Sequence, residues 1–163
     1  LSMILTIVKN DLDILRRPTE EIKFPLENKE KDFIFALVNT LKSDEHGVGL
    51  AAPQVGVSKR IFIVRQNLSS YRDVSHFLIC INPTILKQWG KVTIQKEGCL
   101  SLPNLYVSVP RHKFVKMEYY GIDGEKHTNK FRGTEARILQ HEYDHIEGRL
   151  IIDYAKEYKT NDK

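Results

Sequence analysis

The stretch Gln140-His141-Glu142-Tyr143-Asp144-His145 decides how the rest of the chain is read. It lies within residues 133–148, a run of helical periodicity opened by Gly133-Thr134 and closed by Gly148. Residues four apart stack on one face of a helix, so His141 and His145 present two imidazoles toward a single point. Glu142 is turned by about 100° from His141, on the shoulder of that face. This is the H-E-x-x-H arrangement: two nitrogen ligands for a metal, with a carboxylate placed to take a proton from water there. An amphipathic core helix with polar residues on its wet side gives the same pattern. A catalytic metal site also needs a third protein ligand and an open position, so the remainder of the chain has to decide.

Composition narrows the setting. At 163 residues, positions 1–163 suit one domain that can bury a core without staples. An apolar fraction of 41% and a charged fraction of 28% are those of a soluble globular protein. Cys80 and Cys99 could form one bridge at most, too few for a disulfide framework, which points to a reducing compartment. No apolar run approaches the ~20 residues that cross a bilayer, and no basic-then-apolar signal opens the chain. A cytoplasmic protein without membrane association is the expectation. The formal charge of +4 is spread along the sequence, so no specific nucleic-acid binding is expected.

Taken in order, residues 3–23 read as an extended arm with a short turn. From Asn28 to Lys42, Phe33, Leu37, Val38 and Leu41 recur at helical spacing, which predicts an amphipathic helix. Residues 47–56 form a loop of glycine and small residues. Strands are predicted over 60–65, 77–81, 84–89 and 91–96, with a turn at Gly90, and then over 113–120 and 125–131 around the hairpin turn at 121–124. The metal helix follows, then a short apolar strand at 150–152 and a polar tail. The sum is a single compact α+β domain, with antiparallel β-strands packed on a C-terminal metal-binding helix and an N-terminal helix beside them.

For the third ligand, Cys99 is best placed, between a strand end and a turn and next to Gly98. A thiolate joined to two imidazoles suits zinc or ferrous iron with a free fourth position. The competing reading is a small buried hydrophobe, which is the reading for Cys80 in its apolar strand. His46 is a weaker alternative ligand, and His76, His112 and His127 read as surface residues. The 47–56 loop lacks both phosphate-binding spacings, so its glycines serve to let backbone approach an extended peptide. Gln54 within it could donate to a developing oxyanion, or be an ordinary loop glutamine.

Three segments together resemble the signature motifs of the peptide deformylase family. Gly47-Val48-Gly49-Leu50-Ala51-Ala52-Pro53-Gln54 is similar to its G-x-G-L-A-A-x-Q, Glu97-Gly98-Cys99-Leu100-Ser101 to its E-G-C-L-S, and residues 140–145 to its Q-H-E-x-D-H. Pro110-Arg111 and Leu15-Arg16 resemble it too, so the likeness covers nearly the whole chain. It implies removal of the N-formyl group from the initiator methionine of new polypeptides, with release of formate. It also implies one divalent metal ion on Cys99, His141 and His145: native ferrous iron, with zinc, nickel or cobalt as substitutes. Glu142 takes the general acid/base position, and the Leu100 amide and the Gln54 side chain take the oxyanion positions. Val48, Gly49 and Gly98 fall where the family holds the substrate backbone and methionine, with Ile138 lining that pocket. N-formylmethionyl peptides are the implied partners.

Some points stay open beside the resemblance. Arg137, four residues before His141, could bring its charged head to the pocket mouth or only line the wall with its stem. The tail with Lys156, Lys159 and Lys163 is short, which leaves a transient ribosome contact undecided. A zinc endopeptidase would use a histidine or glutamate as third ligand, and a structural metal module would close the site with four protein ligands.

Overall fold

The computed structural model describes residues 3–66 and 77–158, with side chains through residue 155. Five strands, β1 (Gly49–Ala51), β2 (Ile61–Arg65), β3 (Phe77–Cys99), β4 (Leu102–Tyr120) and β5 (Lys126–Arg132), pair in sequence order. Every neighbouring pair is antiparallel. Four helices accompany them: α1 (Leu12–Leu15), α2 (Asn28–Lys42), α3 (Gly133–Ile146) and α4 (Ile151–Tyr158). The domain is α+β, with the sheet packed on the helix that carries the histidines.

The β3–β4 ribbon is the longest feature, paired from Ile81–Tyr120 to Cys99–Leu102. β2 joins β3 only along Phe77–Ile81, and β5 joins β4 only along Phe114–Tyr120. The rest of the ribbon projects past its neighbours and delivers Cys99 at its tip. The sequence divides β3 into separate strands with a turn at Gly90, and the structure corrects this. Gly90, at φ +84°, sits in a register shift between Trp89 and Val92 that bends the strand without ending it. β4 likewise starts well before the expected 113–120. Pro103 and Pro110 hide it from view, yet they occupy the part of β4 that β5 does not reach.

Helix α2 follows its periodicity, burying Ile34, Leu37, Val38 and Leu41 almost completely against Leu50, Ile61 and Ile63. Each such side chain contributes about 1.5–3 kcal/mol by leaving water. Helix α3 turns Ala136, Leu139 and Ile146 toward Val115, Met117 and Phe131 of the sheet. That leaves the face with the two histidines for the opposite side. The expected 47–56 loop contains β1 and a 3-10 turn over Ala52–Val55. The N-terminal arm has no regular structure over residues 3–9 and then forms the one-turn helix α1. Its Val8 and Asn10 amides donate to the carbonyls of Gln54 and Ser101, which brace the loop and the ribbon tip from behind.

The predicted strand at 150–152 is instead the start of α4. Three apolar residues cannot distinguish a strand from a helix. Burial of Leu150, Ile151 and Tyr154 against Leu15, Val107 and Val109 reveals the helical spacing. Asp153 fixes the helix start by accepting from the Leu150 amide at 2.9 Å, and it accepts a two-pronged contact from Arg16 at 2.9 and 2.7 Å. Asp153→Ala should therefore lower unfolding stability by about 1–2 kcal/mol, the sum of a lost cap and a half-exposed ion pair. Urea denaturation checks this, with activity per folded molecule expected to be unchanged.

Candidate metal centre

The ribbon tip and helix α3 meet at one point. The ligand atoms of Cys99, His141 and His145 all lie within 4.8 Å of one another, and Cys99 Sγ is 3.3 Å from His145 Nε2. The two histidines come from one helix face, and the cysteine from a strand end more than forty residues earlier. His46, the weaker alternative, is exposed and only borders the cleft beside this group.

Electrostatics around the cluster favour a cation. Glu97 is buried, and its Oε1 is 2.9 Å from His141 Nδ1. Burial alone would raise the Glu97 pKa. Contacts with His141 and Arg111 outweigh it and bring the pKa down to about 2. An ionised Glu97 accepts from Nδ1–H, so Nε2 is the His141 nitrogen that faces the cluster, where a bound metal ion would take the place of its proton. Burial opposes a charged His141, but its contacts with Cys99 and Glu97 prevail and lift its pKa to about 10. The site thus draws in positive charge, and the donor set of one sulfur and two imidazole nitrogens suits a divalent ion such as zinc or ferrous iron. His145, by contrast, is pushed down by burial and by His141 and Arg111, which keeps it a neutral donor.

Glu142 is buried beside the cluster, and its Oε2 has no hydrogen-bond partner among the described residues. Burial raises its pKa to about 7. Gly49 makes room for it: a Cβ there would lie 2.7 Å from Glu142 Oε1. Gln54 is fully buried, and its Oε1 accepts from the Ala51 amide at 2.9 Å. That contact turns its Nε2 toward Cys99 Sγ at 3.6 Å and Ser101 Oγ at 3.3 Å. Val48, Gly49, Gly98, Leu100 and Ile138 border one cleft of about 590 Å³, together with Cys99, His141 and Glu142. Every site residue read from the sequence except His145 borders this cleft, and His145 is buried beside Cys99.

The structure resolves the role of Arg137 and adds one that the sequence did not suggest. The Arg137 head is turned inward, donating to Glu97 Oε2 at 2.6 Å, Thr93 O at 2.6 Å and Val109 O at 3.0 Å. Only its stem is left for the cleft wall. Arg111 holds the same carboxylate through Nε and Nη2 at 3.0 and 2.9 Å, and reaches Asp144 at 2.6 Å. Glu97 is the hub of this network. Its signal in the sequence was that it is the only acidic residue of β3, two positions before the cysteine. His112 is corrected from surface to half-buried, its backbone joined to Gln140 in both directions. His127 is half-buried against Tyr119, and His76 lies outside the described residues.

A helix with two imidazoles and a buried carboxylate, a cysteine sulfur from a neighbouring strand and a cleft on the open side define a metal-dependent hydrolase. Comparison with known proteins gives the family. The family model for polypeptide deformylase matches residues 4–161. The peptide deformylase of Karelsulcia muelleri is 39% identical over 93% of this chain and 78% of its own length. The crystal structure of peptide deformylase from Thermotoga maritima superposes with a TM-score of 0.82 at 33% identity, covering 92% of this chain and 96% of that one. The Met-Ala-Ser-bound enzyme from Acinetobacter baumannii gives a TM-score of 0.83 at 31% identity, over 94% and 99%. The chain belongs to the peptide deformylase family, whose members remove the N-formyl group from nascent polypeptides.

Glu97→Ala should cost about 3–5 kcal/mol of unfolding free energy, because Arg137 and Arg111 stay buried without the Glu97 carboxylate and only Asp144 is left to Arg111. Glu97→Gln keeps the volume and an acceptor oxygen but removes the negative charge, and should weaken metal binding by about 10–100-fold through loss of the anionic partner of His141. Denaturant titration and metal titration of the two variants separate these effects. Unaltered metal affinity in Glu97→Gln would mean that His141 needs no anionic acceptor.

Proposed function

We propose that this chain deformylates N-formylmethionyl peptides with Glu142 as the proton carrier and Gln54 and Leu100 as the oxyanion donors. The observation that carries the reading is the buried Glu142 carboxylate, with one oxygen unpartnered, beside three converging ligand atoms in a cleft. Cys99, His141 and His145 would hold the metal, which when bound supplies the Lewis acidity that brings the pKa of water from 15.7 to about 7. Ferrous iron is our choice for the native ion, with zinc, nickel and cobalt accepted by the same donors. A thiolate ligand and a ferrous ion both call for a reducing compartment, which supports a cytoplasmic setting. No helix among the described residues is long and apolar enough to cross a membrane.

The residues divide the reaction between them. Glu142, with its pKa near neutrality, takes the proton from the attacking water as the new C–O bond forms at the formyl carbon. As the C–N bond breaks, Glu142 passes that proton to the leaving amine, giving formate and a free N-terminus. The carbonyl oxygen gains negative charge between these steps. Gln54 Nε2, oriented through Ala51, and the Leu100 amide donate to it, an effect worth roughly 3–4 kcal/mol per donor elsewhere. Val48, Gly49 and Gly98 offer backbone to an extended peptide, and Ile138 offers an apolar wall to the methionine side chain.

Glu142→Gln tests this directly. It keeps the size of the side chain but cannot accept a proton, so kcat for formyl-Met-Ala-Ser should fall by about 10²–10⁴-fold with the metal retained. Gln54→Ala should lower kcat by about 10²–10³-fold. Metal content and formate release measured on one preparation are the readouts. Full metal with parental turnover in Glu142→Gln would overturn the acid/base assignment, and lost metal would make Glu142 a ligand.

A further inference from the structure

The outer face of the sheet, opposite helix α3, carries a grid of cations and aromatic rings that neither the fold nor the reaction uses. Strand register places Lys87 opposite Lys116 and Lys116 opposite Lys130, one lysine row across three strands. The adjacent row is Trp89, Phe114 and Arg132. The Trp89 and Phe114 rings stack, 5.4 Å between centroids and 18° between planes. Lys87 Nζ lies 5.3 Å from the Trp89 ring, and Lys113 Nζ lies 5.4 Å from the Phe114 ring. Lys87, Lys113, Lys130 and Arg132 are exposed, and Lys116 is half-buried. The one acid in the next row, Glu118, is already paired with Lys126 at 3.0 Å.

The stacked rings stabilise the sheet as a cross-strand pair, but stability does not explain the lysine row. Like charges directly opposite on neighbouring strands destabilise a sheet by some tenths of a kcal/mol per pair. Lysines do protect free sheet edges from pairing with other chains. Lys116, however, lies on β4, which is flanked by β3 and β5 at that point, so edge protection does not account for it. Phe24 covers the far end of the same face by packing on Tyr120, at 4.8 Å between centroids. Among the described residues, the cationic end stays open, with Lys87, Lys130 and Arg132 exposed. A flat row of positive charges spaced by the strand separation, beside stacked rings, is the chemistry that holds a single-stranded polynucleotide. Phosphates meet the lysines, and a base extends the aromatic stack.

We propose that this face binds single-stranded RNA, without base specificity, through Lys87, Lys116, Lys130 and Arg132 with Trp89 and Phe114 as the stacking platform. Trp89 is the only tryptophan of the chain, so its fluorescence reports on this face alone. The full chain is titrated with an oligouridylate of about a dozen nucleotides, which suits a site of this extent. Saturable quenching of Trp89 is expected, weakening as salt rises. The variant Lys87→Gln/Lys116→Gln/Lys130→Gln should weaken binding by about tenfold or more and flatten the logarithmic salt dependence by about 2, at 0.7 per lost charge. Its deformylation of formyl-Met-Ala-Ser should match the parent, which also verifies folding. Absence of salt-sensitive quenching overturns the proposal, as does RNA binding that the triple variant leaves intact. A response to vesicles rich in phosphatidylserine but none to the oligonucleotide would assign the face to an anionic membrane and equally overturn it.

Discussion

One buried carboxylate, Glu97, sets the geometry on which the centre depends. It receives Arg111 in a two-pronged contact, Arg137 at 2.6 Å and the His141 ring at 2.9 Å. Those partners come from β4 and α3, while Glu97 itself belongs to β3, so a single ionised group ties three elements together. Such a cluster is costly to desolvate and stable only when every member is satisfied. Here each of its two oxygens is engaged, and Arg111 extends the network to Asp144 and the Tyr154 hydroxyl. The rotation of α3 about its axis and the position of the ribbon tip are thereby fixed against one another. Cys99 lies two residues along from this anchor.

The same helix serves two environments. One side of α3 buries Ala136, Leu139 and Ile146 against the sheet, and the other directs His141 and Glu142 into the cleft and keeps His145 buried beside Cys99. Burial has opposite consequences for the three titratable groups. It raises Glu142 toward neutrality and lowers His145, whereas His141 is carried upward by its anionic neighbours. A carboxyl group poised near neutrality and two imidazoles shifted in opposite directions thus arise from one short stretch through differences in surroundings. Gly49 allows the 47–56 segment to come within contact of Glu142, and the N-terminal arm holds that segment in place through the Gln54 carbonyl.

Charge is also sorted by face. Glu97, Glu142 and the metal-binding donors gather where α3 meets the ribbon, and the lysine row lies on the sheet face opposite α3. A net charge of +4 spread evenly along the sequence concealed this division, because strand pairing gathers Lys87, Lys116 and Lys130 from separate segments. Cationic density on a sheet depends on register, and a linear reading does not contain the register.

The chemistry at the centre was legible in the sequence because it is local. A helical period of about 3.6 residues fixes the relation of His141, Glu142 and His145 before any tertiary contact forms, and the amphipathic α2 follows from the same rule. Cys99 and Gln54 were legible through short motifs around them, though their convergence with α3 was an expectation until the ribbon was seen. What the tertiary structure alone decided was everything set by partners distant in sequence. The continuity of β3 through Gly90, the helical state of Ile151–Tyr158, the inward turn of Arg137 and the hub role of Glu97 each depend on a neighbour at least 14 residues away. A buried ion pair is stable only where its counter-charges are already held, and a short apolar run takes the conformation that its packing surface rewards. Neither condition is written in the residues themselves.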